Sequence, residues 1–319
     1  MSGPERIFVS VASYCDPMLP FTVVSARSQA SDPSRVFFGI VEQEAPGAGY
    51  RPLDEWSREH LRFTRVPALE ARGPCWARAL AMAMHQGEEW YLQIDSHMWF
   101  EPGWDERLLR LAKTCGEANP RTILTCYPNP FVMRDGHPVG KLVSNRVLAS
   151  VVRGDSDFAP GDPVLMFEGV GVETDEPVPG FHVAGGCLFA PGRIVDEVPY
   201  DPRLYFHGEE QAFALRAWTR GWDIRHIPGM PLFHLYTEPG TQPRAMHWTP
   251  EHDEQRAVRS ATLEALARER LAALVSGSAD LGAFGLGSAR SLAEYAEFSC
   301  IDYAARSIAP HGRKQRHGY

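Results

Sequence analysis

Residues 88–106 read EEWYLQIDSHMWFEPGWDE, and this stretch does most to decide the fold. Its apolar run 90–94 predicts a buried strand that ends abruptly at Asp95-Ser96-His97. In an open parallel sheet, ligands bind beyond the carboxyl ends of the strands, so chemistry is expected at these three residues. Asp95 and His97 lie two residues apart on an extended segment, so their side chains point the same way and can coordinate one face of a divalent cation. The structural alternative is a capping aspartate beside a packed histidine, because Asp-X-His is a short and common pattern.

The rest of the chain shows alternating strand and helix patterns. Predicted strands also cover residues 7–12, 35–41 and 61–66, and predicted helices cover residues 19–30, 74–86, 209–220 and 250–275. Strands that alternate with helices over the first 125 residues predict a mostly parallel sheet covered on both faces. Residues 128–180 are rich in proline, glycine and aspartate, which predicts a long excursion near the binding cleft with at most one weak strand pair. We expect an α/β catalytic domain over residues 1–240 and a helical C-terminal extension, packed on that core, over residues 241–319.

Composition and charge argue against several classes of protein. The chain has 319 residues and a formal net charge of −8, which argues against general nucleic-acid binding because that function needs a basic surface. The N-terminal residues lack the charged-then-apolar pattern of a signal peptide, and no apolar run approaches the roughly 18 residues of a membrane span. Six cysteines without a Cys-X-X-Cys pair are typical of reduced thiols. We therefore expect a cytoplasmic protein without a membrane span.

Four further groups of residues are candidates for the same site. His234 follows a strand-like run and would supply a third metal ligand, although a lone histidine is more often packed in a core. Glu209 and Glu210 begin a helix, where the helix dipole favours acidic residues, but one of these carboxylates would also suit sugar hydroxyls. The other two groups are a pair of arginines and a pair of glycines, namely Arg72 with Arg78 and Gly185 with Gly186. The arginines flank a helix start and form either an anion site or a solvated face, and the glycines indicate close approach to a ligand or a bulge.

Several separate segments, in the same order along the chain, resemble one known family. They are IFVSVASYCDP (7–17), RVFFGI (35–40), RGPCWAR (72–78), the stretch 88–106, PYDPRLYFHGEEQAFALRAWTRGWDI (199–224) and FHLY (233–236). They are similar to the GlcNAc-transferase family of the cytosolic hydroxyproline N-acetylglucosaminyltransferase, and more distantly to the mucin-type polypeptide GalNAc-transferases. The resemblance implies a GT-A fold with a Rossmann-like sheet, a UDP-sugar donor, a divalent cation and retention of configuration at the anomeric carbon. Mn²⁺ is the expected cation, with Mg²⁺ as the alternative.

The resemblance also implies roles for individual residues. Asp95 and His97 match the family's Asp-X-His metal motif, and His234 matches the distal metal ligand. The residues that match the donor-binding positions are Ser13, Tyr14, Asp16, Arg72, Arg78, Asp95, Ser96, Gly185 and Gly186, and those that match the catalytic acidic block are Glu209 and Glu210. Cys15 and Trp99 depart from the family, because a basic residue is usual at both positions. Both departures remove positive charge expected near phosphate or acceptor.

Together these residues predict transfer of a GlcNAc-like sugar from a UDP-sugar to a hydroxyl of a protein, a peptide or a small molecule. The oligomeric state stays open. One alternative is a metal-dependent UDP-sugar hydrolase, in which Asp95, His97 and His234 would activate water. Another is a catalytically inactive module that binds sugar nucleotides or glycans. That module would need to have lost a metal ligand, and all three candidates are present.

Overall fold

The computed structural model describes residues 5–44, 60–142, 146–237 and 244–313. The strands are β1 (Ile7–Tyr14), β2 (Val36–Glu44), β3 (Leu61–Pro67), β4 (Trp90–Asp95), β5 (Met98–Phe100), β6 (Thr122–Thr125), β7 (Asn129–Arg134), β8 (His137–Gly140), β9 (Val147–Val152), β10 (Phe167–Val172), β11 (Val178–Gly180), β12 (Cys187–Pro191), β13 (Asp223–His226), β14 (Leu232–His234), β15 (Ile301–Asp302) and β16 (Ser307–Ile308). The helices are α1 (Leu19–Gln29), α2 (Pro74–Met82), α3 (Trp104–Gly116), α4 (Ile194–Glu197), α5 (Glu209–Thr219), α6 (Pro250–Asp253), α7 (Ser260–Ser276) and α8 (Leu292–Ser299).

An eight-stranded sheet in the order β11-β13-β6-β12-β4-β1-β2-β3 forms the centre of the protein. The four strands β1 to β4 are parallel to one another, which confirms the predicted arrangement of the N-terminal half. β12 runs antiparallel between β4 and β6, so the other half of the sheet is mixed. The carboxyl ends of β1, β2 and β4 therefore lie along one edge, where the predicted site residues follow β1 and β4.

Helices cover both faces of this sheet, because its strands are apolar on both sides. Along β4, Leu92 and Ile94 pack with side chains of α1 and α3 in one core cluster. Tyr91 points to the opposite face and packs with α2, α5 and α7 in a second cluster. This alternation between two buried faces explains why the strand is a continuous apolar run.

Residues 128–180 contain more regular structure than their composition predicts, so the expectation of at most one weak strand pair is wrong. β7 pairs with β8 and β14, β9 pairs with β10, and β11 pairs with β13. The wholly buried β9, with the sequence VLASVV, shows the reason: a short apolar run forms a strand even between segments rich in glycine and proline. A second sheet, in the order β5-β14-β7-β8, holds β14 beside the strand that follows His97.

The predicted helix 250–275 is two helices, and the break between them has a local cause. Asp253 ends α6, and its carboxylate accepts a hydrogen bond from the N–H of Ser260, which starts α7, at 2.7 Å. Between them, Arg256 turns inward and its Nε donates to the carbonyl of Ala68 at 3.3 Å. The helix is interrupted between α6 and α7, where the guanidinium of Arg256 is buried.

The helix predicted over 74–86 ends at Met82. The N–H groups of Met84 and His85 bond to carbonyls only three residues back, at 3.0 and 3.1 Å, so the last turn is tighter than an α-helix.

The described residues 244–313 contain α6, α7, α8 and the hairpin of β15 and β16. Leu271 and Leu274 of α7 enter the core cluster shared with α2 and α5. Tyr295 of α8 is buried, and its hydroxyl donates to the carbonyl of Phe181 at 2.7 Å. Among the described residues, no helix combines the length and apolar character that a membrane span requires.

Candidate active site

Three candidate metal ligands, which we call the ligand triad, meet at the carboxyl end of β4. Asp95 is the last residue of β4, His97 follows it by two residues, and His234 ends β14. Nε2 of His97 lies 2.8 Å from Nε2 of His234, and the latter atom lies 3.2 Å from Oδ2 of Asp95. One ligand atom from each residue lies within 4.8 Å of the other two. A carboxylate oxygen and two imidazole nitrogens at this spacing can hold one cation.

A carboxylate fixes the orientation of His97. Oδ2 of Asp16 lies 2.7 Å from Nδ1 of His97 and accepts the hydroxyl of Ser96 at 2.7 Å, while Oδ1 accepts the N–H of Met18 at 2.9 Å. Burial alone would raise the pKa of Asp16, but the hydrogen bonds from His97, Ser96 and Met18 outweigh burial and lower it. An ionised Asp16 accepts a hydrogen bond from Nδ1–H of His97, which leaves the Nε2 lone pair facing the other two ligands.

The other two members of the triad are held in the protonation states that metal ligands need. Burial lowers the pKa of His234 more than its hydrogen bond with Asp95 raises it, so the imidazole is neutral near pH 7. Burial would raise the pKa of Asp95, but the hydrogen bond from His234 and the charge of Arg78 hold it well below its usual range. Nδ1 of His234 is buried and has no hydrogen-bond partner in the described part of the chain. The donor set therefore fits a divalent cation.

Arg78 of α2 joins the ligand triad to the acidic start of α5. Its Nη2 donates to Oδ1 of Asp95 at 2.8 Å, and its Nη1 donates to Oε1 of Glu209 and to the hydroxyl of Tyr200, the latter at 3.1 Å. Burial would lower the pKa of Arg78, but the charges of Glu209 and Asp95 help raise it well above its ordinary value. The guanidinium is thus a buried cation that fixes Asp95.

Glu209 is enclosed by hydrogen-bond donors. Its Oε2 accepts from Sγ of Cys75 at 2.7 Å and from the hydroxyl of Tyr200 at 3.2 Å, while Oε1 accepts from Arg78. Burial raises the pKa of Glu209 above its ordinary value, even though the charge of Arg78 lowers it. Both oxygens are engaged within the protein, so Glu209 serves in this structure as the partner of Arg78.

The adjacent Glu210 faces the cleft. Its Oε1 accepts the N–H of Gly185, and its Oε2 accepts the hydroxyl of Tyr127 at 3.0 Å and lies 3.2 Å from Nε2 of His182. Burial would raise the pKa of Glu210, but the hydrogen bonds from His182, Gly185 and Tyr127 outweigh it and lower the pKa. The side chain of Glu210 is 27% exposed, against 6% for Glu209. The pKa values of the two carboxyls are thus shifted in opposite directions, and Glu210 is the more exposed of the two towards the cleft.

The glycine pair before β12 makes room for these side chains. A Cβ atom at Gly185 would lie 2.6 Å from Nη1 of Arg78, and one at Gly186 would lie 2.4 Å from Oδ2 of Asp95. The resemblance matched this pair to donor-binding positions. In the structure, the glycines let Arg78 and Asp95 approach the backbone closely.

Tyr14 lies at the end of β1, where the C-terminal segment covers it. Its hydroxyl accepts from Nη2 of Arg256 and lies 2.8 Å from Nδ1 of His252, and the guanidinium of Arg256 lies 5.4 Å from the centre of the Tyr14 ring. Burial raises the pKa of Tyr14 to about 12. Sequence reasoning missed Arg256 and His252, because they stand 242 and 238 residues from Tyr14 and belong to no motif.

Two of the residues matched to donor binding lie away from the cleft. The side chain of Ser13 is fully buried, and its Oγ has no hydrogen-bond partner in the parts of the chain described. Arg72 is exposed and lines a separate groove. The structure therefore brings Tyr14, Asp16, Arg78, Asp95, Ser96 and Gly186 to the cleft, with Gly185 directly beside it.

The two positions that depart from the family pattern are not among the described residues that line the cleft. The ring of Trp99 packs against Phe233 and Phe131, with ring centres 4.8 and 6.1 Å apart. Sγ of Cys15 donates to the carbonyl of Gln43 at 3.5 Å. Trp99 therefore contributes to the packing of the second sheet, which explains an aromatic residue there.

The cleft has a volume of about 440 Å³. The ligand triad, Arg78 and both glutamates line it, together with exposed aromatic side chains that include Phe206, Tyr236 and Trp248. Its volume is in the range of small-molecule and cofactor sites. A cation site with one open side, an ionised carboxylate and aromatic walls suits a ligand that carries phosphate, hydroxyl groups and rings.

The sequence matches the family described as Glycosyltransferase (GlcNAc) over residues 6–49 and 44–305. The chain belongs to this glycosyltransferase family. A search of curated proteins finds no match. Among solved structures, the protein is similar to the crystal structure of GalNAc-T7 with UDP, GalNAc and Mn²⁺, with a TM-score of 0.59 and 16% identity. The match covers 92% of this chain and 54% of that one, so the chain spans about half the length of the GalNAc-T7 chain. The family resemblance is thus confirmed, and the structural similarity confirms the predicted GT-A fold.

Some side chains that shape the site of this GlcNAc glycosyltransferase were not predicted. Tyr200 and Cys75 enclose Glu209, and Tyr127 and His182 hold Glu210. Tyr200 and Cys75 stand inside the matched segments PYDPRLY and RGPCWAR, which was the available signal. Tyr127 and His182 stand outside the segments that carry the resemblance, and nothing in their local sequence indicates a role.

Proposed function

We propose that the protein transfers GlcNAc from UDP-GlcNAc to an acceptor hydroxyl, with retention of configuration and with Mn²⁺ at Asp95, His97 and His234. One observation carries the proposal: three ligand atoms meet within 4.8 Å at the carboxyl end of β4, in a chain of the GlcNAc glycosyltransferase family. The GalNAc-T7 crystal structure, which holds UDP, GalNAc and Mn²⁺, supports a UDP-sugar donor and this cation. Mn²⁺ is preferred to Mg²⁺ because Mg²⁺ is usually bound by oxygen ligands, whereas two of these three ligand atoms are nitrogens.

The proposed reaction exchanges one bond at the anomeric carbon for another. The bond to the β-phosphate oxygen breaks, the acceptor oxygen bonds to the same face, and the acceptor proton passes to the departing diphosphate. When bound, the cation supplies positive charge to the diphosphate. Arg244 adds a further cation to this end of the cleft, because its Nε lies 4.0 Å from Oδ2 of Asp16.

The two acidic residues at the start of α5, Glu209 and Glu210, have different roles in this proposal. Gly185, Tyr127 and His182 contact the oxygens of Glu210, but its side chain is 27% exposed, so it can accept a further hydrogen bond from a sugar hydroxyl. Glu209 has both oxygens engaged by Arg78, Tyr200 and Cys75, so it positions Arg78 and does not attack the sugar. The lack of a free carboxylate at Glu209 supports same-face attack without a covalent intermediate.

The acceptor we propose is a hydroxyl on a protein, peptide or small molecule, reached through the aromatic mouth of the cleft. We also propose that the protein acts in the cytoplasm. All six cysteines are free thiols, which supports a reducing compartment.

The test measures UDP release from UDP-GlcNAc, with Mn²⁺, against peptide and small-molecule fractions. We expect release that depends on acceptor, is lost with EDTA and returns with excess Mn²⁺. The H1–H2 proton coupling of the product sugar should be small, as in an α-linkage, because UDP-GlcNAc is itself α-linked. Transfer that ignores EDTA contradicts the metal, and a β-linked product contradicts retention.

Two variants and an assay without acceptor distinguish this function from its alternatives. His97→Ala should abolish transfer, whereas His137→Ala, on the exposed hairpin of β7 and β8, should leave it unchanged. A UDP-sugar hydrolase would release UDP equally fast without acceptor. A binding module would bind UDP in calorimetry and release none from UDP-GlcNAc.

A further inference from the structure

A second cavity lies next to the cleft and has no part in the function proposed above. This groove, with a volume of about 430 Å³, runs between α7 and residues 202–205. Its floor is aliphatic, with Leu263 and Leu266 of α7 facing Leu281. Leu266 is 52% exposed, so the groove presents an aliphatic side chain to solvent.

One wall separates the groove from the cleft. Arg72 and Tyr205 line the groove, whereas the residues that directly follow them, Gly73 and Phe206, line the cleft. Gly73 packs flat against Tyr205, since a Cβ at Gly73 would lie 2.4 Å from the Tyr205 ring. The two cavities are therefore neighbours, and the wall between them is one residue thick at Arg72-Gly73 and at Tyr205-Phe206.

The rim of the groove carries positive charge that the protein leaves unpaired. Arg72 and Arg203 are both exposed, and neither forms an ion pair with a carboxylate in the described part of the chain. Arg270 is different, because its Nε donates to Asp201 at 2.6 Å. Glu269 is the acidic residue in the lining, so the groove as a whole is positive on a chain whose net charge is −8.

We propose that this groove binds an acidic segment of a polypeptide acceptor, with an aliphatic side chain on Leu266 and carboxylates on Arg72 and Arg203. This inference rests on the proposed transferase function. An acceptor that spans both cavities must be long enough to cross the wall, which favours a polypeptide over a small molecule. Carboxylates match the two free guanidinium groups, and an aliphatic floor with Glu269 beside it disfavours a nucleic acid.

The groove explains the position of Arg72. The resemblance matches this arginine to a donor-binding position, but the structure places it on the far side of the wall. There it contacts an acceptor that already has its hydroxyl in the cleft. Groove binding would raise the affinity for the acceptor without changing the bonds made and broken at the sugar.

The test uses fluorescence anisotropy with the full chain, Mn²⁺ and UDP. The probe is the fluorescein-labelled peptide Asp-Glu-Leu-Asp-Leu-Gly-Ser-Pro-Ser-Gly, and its counterpart carries Lys at the three acidic positions. The double variant Arg72→Glu/Arg203→Glu should bind the acidic probe at least about tenfold more weakly than wild type, because two charge-assisted contacts become repulsive. The matched control, Arg110→Glu/Arg134→Glu, changes the same charge at two exposed arginines elsewhere and should bind as wild type does.

Three outcomes would overturn the proposal. The first is that wild type does not bind the acidic probe, or binds the lysine probe as tightly. The second is equal weakening in both double variants. The third is a dimer that depends on the groove: light scattering would give the mass of two chains for wild type and of one chain for Arg72→Glu/Arg203→Glu. The groove would then bind a second copy of this protein.

A separate readout distinguishes failure of the groove from failure of the transferase function. Slow UDP release from UDP-GlcNAc without acceptor should be the same in wild type and in Arg203→Glu, because Arg203 lines the groove and carries no donor-binding assignment. If release proceeds but the acidic probe does not bind, the groove proposal alone is wrong. If the probe binds as expected but UDP-GlcNAc is never turned over, the transferase function is wrong and the groove binds an acidic peptide for another purpose.

Discussion

The two ends of the cleft satisfy their polar groups in different ways. At the ligand triad, two imidazole nitrogens and a carboxylate oxygen point at one another, and Nδ1 of His234 is buried without a partner in the described chain. At Glu209, three hydrogen bonds, one each from Arg78, Tyr200 and Cys75, engage both carboxylate oxygens in a buried environment. Both regions contain carboxylates, but the side chain of Asp95 is 26% exposed and that of Glu209 is 6% exposed. The first directs its lone pairs at a common point, and the second directs them at the protein.

This difference separates residues that receive a ligand from residues that hold the site together. A buried polar group usually finds its partner within the fold. Two imidazoles and a carboxylate that converge on one point, as in the triad, fit an external cation that all three can bind together. Groups that are saturated, as at Glu209, indicate a positioning role.

The largest expected effect is on activity at the ligand triad. Asp95→Asn keeps the size of the side chain and removes its charge. We expect kcat/KM for transfer to fall on the order of 10³-fold, because a metal's charge at the reacting phosphate contributes several kcal/mol. Steady-state UDP release measures this effect, and Asp280→Asn, at an exposed aspartate, serves as the control. A loss of less than threefold would show that the triad takes no part in the chemistry.

Replacement of the two adjacent glutamates should affect stability very differently. Glu209→Gln leaves the buried guanidinium of Arg78 without its full counter-charge, so we expect the free energy of unfolding to fall by about 3 kcal/mol. Glu210→Gln affects a side chain with more exposure and should cost about 1 kcal/mol, while it weakens donor binding. Urea unfolding of both variants makes the comparison. Equal losses of stability would contradict the assignment of Glu209 as the positioning residue.

Much of the difference between the ligand triad and Glu209 could not be predicted from the sequence, because the residues that contact one another there are distant along the chain. The Asp-X-His pair was predicted from a local pattern, since a strand and the two residues after it are enough to place both side chains. His234 needed the family resemblance, because β14 reaches β5 only through the second sheet. The pairing of Glu209 with Cys75 and Arg78 spans more than 130 residues, and no local pattern encodes it.

The errors in the fold also have local causes. The predicted helix 250–275 has an alanine-rich pattern throughout, and the inward turn of Arg256 depends on the carbonyl of Ala68, which the pattern does not contain. The strands within 128–180 were missed because the flanking proline and glycine residues outweighed the apolar run of β9. The α/β class and the parallel N-terminal half were predicted correctly, because β1, β2 and β4 are apolar runs and helices α1 and α2 separate β1 from β2 and β3 from β4.

His247 lies in the cleft wall, and both nitrogens of its imidazole have hydrogen-bond partners. Its replacement should have a smaller effect than those above, on the pH dependence of stability. Burial lowers the pKa of His247 to about 4 from the ordinary value of 6.5, and its two nitrogens lie 2.8 Å from the Tyr205 hydroxyl and 2.9 Å from the Ala71 carbonyl. The folded protein therefore binds this proton less readily than the unfolded chain does. The stability that the neutral imidazole provides is complete above pH 6.5 and is lost as the pH falls towards 4.

We expect His247→Gln to reduce the difference in unfolding free energy between pH 7 and pH 4.5 by about 2 kcal/mol. Urea unfolding at both pH values measures it, and His137→Gln is the control at an exposed position. An unchanged difference in His247→Gln would show that His247 already binds its proton in the folded protein.

The smallest effect concerns the thiol that donates to Glu209. Burial keeps the pKa of Cys75 well above its ordinary value, so the group stays protonated and can donate. Cys75→Ser keeps a donor at this position, whereas Cys75→Ala removes it and should cost about 1 kcal/mol more. Thermal unfolding of both variants measures the difference. A serine variant no more stable than the alanine variant would show that the hydrogen bond contributes nothing.

Binding of Mn²⁺ tests the central claim most directly. Electron paramagnetic resonance detects free Mn²⁺, so a titration in the presence of UDP counts the ions that the protein removes from solution. We predict one Mn²⁺ bound per chain for wild type and for His137→Ala, and none at the same concentrations for Asp95→Asn or His97→Ala. Identical free-ion signals for wild type and Asp95→Asn would contradict the account, because the ligand triad would then hold no metal.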